Sequence, residues 1–184
     1  MIEGLLSTGS TYSIKVRAHN HAGYTDSPPI VVVLAAVPDT PSSAPTSDAL
    51  VTDQEQIKVS YGPLLASENG GSDILSYEIQ MDDGQGGDFY SLAGGETAGD
   101  SLATTYTIGQ DIQDGGLYRF RYRARNVNGW SSFSAIAYVR AATVPTRPSS
   151  PRIYLIDITS ITVTVQKALD DGGSYVSGYQ LWRN

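Results

Sequence analysis

The stretch "RFRYRARNVNGW", residues 119–130, places arginine at four alternate positions, Arg119, Arg121, Arg123 and Arg125. Phe120, Tyr122 and Ala124 fill the gaps between them. Strict alternation is the period of a β-strand, whose successive side chains leave by opposite faces. One face of this strand is apolar and points to a core; the other carries a row of arginines about 20 Å long. Two readings compete. The row is a basic, aromatic-interleaved surface for nucleic acid, or it is the polar side of one strand in a sandwich. The rest of the sequence decides between them.

The strand occurs twice. "TGSTYSIKVRAHNHAGYTDS" (8–27) aligns with "DGGLYRFRYRARNVNGWSSF" (114–133), with Tyr12 on Tyr118, Asn20 on Asn126 and Gly23 on Gly129. Other segments repeat at nearly the same offset. "VPDTPSSAP" (37–45) aligns with "VPTRPSSPR" (144–152), "NGGSDILSYEIQ" (69–80) with "DGGSYVSGYQLW" (171–182), and "IKVSY" (57–61) with "ITVTV" (161–165). A period near 105 residues is the size of a whole β-sandwich domain rather than a solenoid repeat. Residues 38–144 are thus read as one complete unit, 1–37 as the end of a preceding unit and 145–184 as the front of a following one.

Within the central unit the hydrophobic period is two throughout. "QIKVSY" (56–61) sets Ile57, Val59 and Tyr61 on one side, and "ILSYEIQMD" (74–82) groups Leu75, Tyr77, Ile79 and Met81 against Glu78, Gln80 and Asp82. With 44–51, 88–94, 103–109, 117–126 and 134–141 these make seven short strands. Glycine-rich clusters such as "ENGGSD", "DDGQGGD" and "VNGW" separate them as turns. The predicted class is all-β, an immunoglobulin-like seven-stranded β-sandwich.

In order, these motifs resemble a fibronectin type III domain. "TPSSAP" (40–45) is similar to the inter-domain linker and first strand, "IKVSYGP" (57–63) to the second, "NGGSDILSYEIQ" to a loop and third strand, and "IQDGGLYRFRYRARNVNGWSSFS" (112–134) to the corner, sixth strand and following turn. The resemblance covers the whole chain. It implies that Tyr118, six residues after Ile112, and Tyr12, six after Leu6, form tyrosine corners, with the ring inward and the hydroxyl bonded to backbone across the turn. Two departures stand out. Tyr61, and Val165 in the third unit, occupy the place where the family usually has tryptophan. The turn after the sixth strand holds no RGD-type stretch, so the adhesive property of some family members is not carried over.

Composition narrows the function. The 184 residues carry 12 Lys and Arg against 19 Asp and Glu, a net charge of −7. The central unit alone holds 14 acidic and 6 basic residues, a net of −8. Phosphate binding draws its energy from a surplus of cations, so nucleic acid is not expected as a partner. With no cysteine there is no disulfide frame, thiolate metal site or cysteine nucleophile. No run of 18 apolar residues occurs, and residues 1–10 lack the pattern of a signal peptide. The nucleophile-elbow, zinc-protease and P-loop motifs are missing, and no histidine stands near a nucleophile in the central unit. No catalytic residue and no cofactor is expected. His19 and His21 form an H-x-H, but two ligands do not make a metal site. The loop "DDGQGGD" (82–88) lacks the spacing of a calcium loop and reads as a turn.

The arginine row is the candidate partner face. By the resemblance, the third and sixth strands are neighbours. Glu78 and Asp82 then share the outer face with Arg119, Arg121, Arg123 and Arg125 and pair with them across strands. The resemblance implies a non-enzymatic structural or protein-interaction segment of a larger multi-repeat protein, at the cell surface or outside the cell. Two alternatives stay open: spacer modules of a secreted carbohydrate-active enzyme, and an intracellular scaffold or filament. Neighbouring repeats of the same protein are expected partners, and direct membrane contact is not expected of this segment. The linkers "VPDTP" and "VPTRP" favour extended backbone. The end segments carry too few strands to bury their apolar faces alone, which fits an excised segment or an open head-to-tail association.

Overall fold

The computed structural model describes residues 6–183, and every element in it is a β-strand. The central unit is a two-sheet sandwich. Strands β5 (Thr46–Ser47), β6 (Ile57–Ser60) and β9 (Thr105–Ile108) form one sheet in the order β5-β6-β9. Strands β7 (Ser76–Met81), β8 (Tyr90–Ala93), β10 (Leu117–Asn126), β11 (Gly129–Trp130) and β12 (Ala137–Arg140) form the other. There β7 and β10 are central and antiparallel, with Phe120 opposite Met81, Tyr122 opposite Ile79 and Ala124 opposite Tyr77. All pairing within both sheets is antiparallel.

The period-two pattern explains the packing. Ile57 and Val59 from β6, Tyr77, Ile79 and Met81 from β7, and Tyr118, Phe120, Tyr122 and Ala124 from β10 meet between the sheets. Each large apolar side chain removed from water contributes about 1.5–3 kcal/mol. Tyr61 fills the place expected of tryptophan and lies 5.5 Å, centroid to centroid, from Tyr122. Its hydroxyl is buried without a partner, and burial pushes its pKa up to about 12. The tyrosine corner is present: the Tyr118 hydroxyl accepts from the Gln113 N–H (2.8 Å) and donates to the Asp111 carbonyl (3.3 Å). In the first unit the Tyr12 hydroxyl accepts from the Ser7 N–H at 2.7 Å.

Several elements differ from the sequence pattern. The first predicted strand shrinks to β5, and Leu75 precedes β7 and stays exposed. The segment 134–141 is a strand only over β12, because Ser131 and Ser134 tie the preceding residues to β10 by their side chains. The described part of 1–37 holds four short strands: β1 (Thr11–Ile14), β2 (Arg17–Asn20), β3 (Gly23–Asp26) and β4 (Ile30–Val33). β1 pairs with β4 and β2 with β3, and the counterpart of β10 is interrupted at Lys15 and Val16. In 145–184, β13 (Arg152–Ile156) pairs with β14 (Ile161–Thr164), while residues 174–183 form no sheet pairing. Residues 1–5 and Asn184 lie outside the described residues. Among the described residues no helix is long and apolar enough to cross a membrane.

Candidate functional site

The arginine row lies on the outer face of β10, half-buried, while the aromatics between the arginines are in the core. Alternation aims the guanidinium groups over β7, and each meets an acceptor. Arg119 Nε bonds Asp82 Oδ2 at 2.7 Å, and its backbone N–H donates to Asp82 Oδ1 at 2.8 Å. Arg121 Nε donates to Gln80 Oε1 at 3.0 Å. Arg123 Nε bonds Glu78 Oε2 at 2.6 Å, and Gln80 Nε2 donates to Glu78 Oε1 at 2.8 Å. Arg125 Nη2 reaches both oxygens of Asp100, at 2.5 and 2.6 Å. Glu78 and Asp82 are more than nine-tenths buried although they stand on the outer face. Their charge is tolerable there because each is paired and hydrogen-bonded.

A second layer covers the arginines. Arg119 and Arg121 sit over the Phe89 ring, 5.0 and 4.0 Å from its centroid. Arg121 and Arg123 flank Phe133 at 4.0 and 4.5 Å. Arg123 and Arg125 flank Trp130 at 4.5 and 5.4 Å. Four cations and three rings therefore alternate in one ladder, each ring between two arginines and inside the range where a cation is held by a ring face. Burial beneath these rings lowers the Arg121 pKa from its ordinary value.

The residues after β11 make the ladder possible. Ser131 Oγ accepts from the Ala124 N–H and Ser134 Oγ from the Tyr122 N–H, both at 3.1 Å. The Ser131 and Ser134 N–H groups donate to the Ala124 and Tyr122 carbonyls, both at 2.8 Å. Three residues of this segment thus run beside two of β10. Trp130 and Phe133, also three apart, fall between successive arginines.

The sequence placed Arg119, Arg121, Arg123, Arg125, Glu78 and Asp82 on one face, and the structure brings all six together. It did not place Phe89, Trp130, Phe133 or Asp100 there. The available signal was the doubled three-residue spacing in "WSSFS" (130–134), tryptophan to phenylalanine and serine to serine. The first unit carries one rung of the same design. Lys15 and Arg17 both pair with Asp26, at 2.5 and 2.6 Å, and Arg17 lies 4.0 Å from the Tyr24 centroid. In the loop 82–88, Asp82 serves Arg119, and Asp83 Oδ1 accepts from the Gln85 and Gly87 N–H groups within the loop. His19 lies in β2 and His21 in the turn after it. Among the described residues no cluster of three or more metal-ligating side chains occurs.

Two antiparallel sheets, a tyrosine corner and a repeat of sandwich size define an immunoglobulin-like, fibronectin type III-like fold. Known structures agree. Domains A168–A170 of titin superpose with a TM-score of 0.53 at 20% identity, over 68% of this chain and 39% of that one. The FN1-FN3 domains of chicken CNTN1 give 0.51 at 17% identity, over 87% of this chain and 54% of theirs. The chain therefore spans between about two-fifths and just over half of these structures. No family model matches the chain.

Proposed function

We propose that the chain is a non-enzymatic, structural and protein-binding segment of a larger multi-repeat protein at the cell surface or outside the cell. Its units run over 1–37, 38–144 and 145–184. The observation that carries this reading is the ladder. It braces one whole sheet face with three of its four cations neutralised by Asp82, Glu78 and Asp100 and the fourth, Arg121, bonded to Gln80, which suits a protein surface and leaves little free charge for phosphate. The partner face is the surface of half-exposed rings and arginines, Phe89, Phe133 and Trp130 over Arg119, Arg121, Arg123 and Arg125, with Glu78 and Asp82 buried beneath it, and it has no part in nucleic-acid or direct membrane contact.

A photo-crosslinking side chain at exposed Ser132, on the rim of the ladder, tests this in the full chain on intact cells. The expected result is a protein adduct at Ser132 and none at Leu50, which is exposed in the loop after β5. Equal labelling at both positions, or crosslinks to nucleic acid or lipid, would overturn the partner face. Cleavage of the chain by protease added outside intact cells tests the setting; full protection there would favour an intracellular scaffold.

A further inference from the structure

The segments joining successive units make the same contacts at both joints. At the first, the Ala36 N–H donates to the Gly70 carbonyl (2.9 Å) and the Asp39 N–H to the Glu68 carbonyl (2.8 Å). At the second, Thr143 donates to Gly172 (2.8 Å) and Thr146 to Asp170 (3.0 Å). On the upstream side Gly9 donates to the Leu34 carbonyl (2.7 Å), and Gly115 to that of Ala141 (2.9 Å). Each linker is tied both to the turn of the unit before it and to the glycine-pair loop of the unit after it. The first joint has a further clasp. Asn126 Nδ2 donates to the Ala36 and Asn69 carbonyls, at 2.7 and 2.8 Å, and Asn128 Nδ2 to that of Ala35.

The glycine pairs are dictated by space as well as by the turn. Gly70, Gly71, Gly172 and Gly173 have φ of +72°, +84°, +74° and +78°. A Cβ on Gly70 would lie 2.6 Å from the Val37 carbonyl oxygen, and one on Gly172 2.9 Å from that of Val144. A Cβ on Gly71 would lie 2.8 Å from the Gly9 nitrogen, and one on Gly173 3.0 Å from that of Gly115. These are backbone atoms that cannot swing aside. Thr8–Gly9 and Asp114–Gly115 belong to the turns that the Tyr12 and Tyr118 hydroxyls pin.

We propose that the turn of each tyrosine corner is the docking site for the glycine-pair loop of the following unit, locking successive units in one repeated orientation. The partner of this surface is the next repeat of the same chain. The proposal rests on the modular reading above and names the contact that gives the modules a fixed geometry. Successive units then share one rotation, and the array is a stiff rod rather than beads on a loose thread.

The chain has no cysteine, so paired cysteines can carry spin labels without background. Ala22→Cys with Leu102→Cys, both exposed, spans the first joint, and Leu50→Cys with Thr159→Cys the second. Each pair in the full chain is expected to give a single narrow distance distribution. Gly71→Ala widens the first and Gly173→Ala the second, each by about twofold or more, towards the spread of a flexible tether. Asn128→Ala alters no glycine and widens the first joint alone. Gly86→Ala carries the same backbone strain, at φ +84° in open space, and leaves both unchanged. Broad distributions in the parent chain, no widening in the joint variants, or equal widening by Gly86→Ala would overturn the proposal. These distances do not depend on capture of a partner at Ser132, so failure of the partner face and failure of the joint are read separately.

Discussion

Residues 117–126 and 11–20 carry the same alternating pattern, yet one is an unbroken strand of ten residues and the other is two strands of four. The difference lies in their neighbours. β10 has β7 along one edge and β11 and β12 along the other. β1 and β2 each pair with one short strand, and Val16, the counterpart of Tyr122, is exposed. Alternation specifies which side chains point which way. It does not supply the second sheet that makes burial worthwhile, and an isolated two-stranded pair is marginal in water.

That contrast can be broken most forcefully in the core. Phe120→Ala is expected to destabilise the central unit by about 3–5 kcal/mol, the usual cost of emptying a buried aromatic site. Ile14→Ala, at the matching position, should cost under about 1 kcal/mol because its site is only partly covered. Denaturant unfolding with residue-level hydrogen exchange reads both. The ion pairs come next. Asp82→Ala strands Arg119 beside a buried cavity and is expected to cost about 3 kcal/mol. Asp26→Ala removes an exposed pair of contacts that solvent screens, and should cost much less. Equal losses at the two sites would show that burial does not set the worth of these pairs.

Smaller effects sharpen the comparison. Tyr118→Phe is expected to lower stability by about 1 kcal/mol or more, since it leaves the Gln113 N–H without its acceptor. Tyr12→Phe should cost less, because the Ser7 N–H can turn to water. Tyr61→Phe has the opposite sign. It removes a buried hydroxyl with no partner and is expected to leave stability unchanged or raise it by up to about 1 kcal/mol. The pH dependence follows from the raised pKa. The folded state holds the Tyr61 proton more tightly than the unfolded chain, so that contribution is complete below about pH 10 and is lost as pH rises towards 12. Alkaline unfolding curves of Tyr61→Phe should lack this component.

Most of the sandwich was legible in the sequence because period two and glycine-rich turns are local signals. Ile57 and Val59, or Tyr118, Phe120 and Tyr122, declare their face by position alone. The pairing of Glu78 and Asp82 with the arginines needed one non-local fact, the adjacency of the third and sixth strands, which the family resemblance supplied. The ring layer was not legible in the same way. Phe89 precedes β8, Trp130 and Phe133 follow β10, and nothing in their immediate neighbours says that all three lie across the same arginines. The glycine pairs read correctly as turns, but their contact with the preceding unit depends on two loops about 60 residues apart, Gly9 with Gly71 and Gly115 with Gly173. The split of the first unit into four strands was also invisible locally, since its residues alternate as well as those of β10.

The ladder also gives the protein an internal optical gauge. Of the two tryptophans, Trp130 is half-buried between Arg123 and Arg125, whereas Trp182 is 83% exposed. Replacing Trp182 with phenylalanine leaves a single indole whose emission depends on two stacked guanidinium groups. A shift in its colour or lifetime then reports the slipping of one rung, before the sheet beneath it has opened.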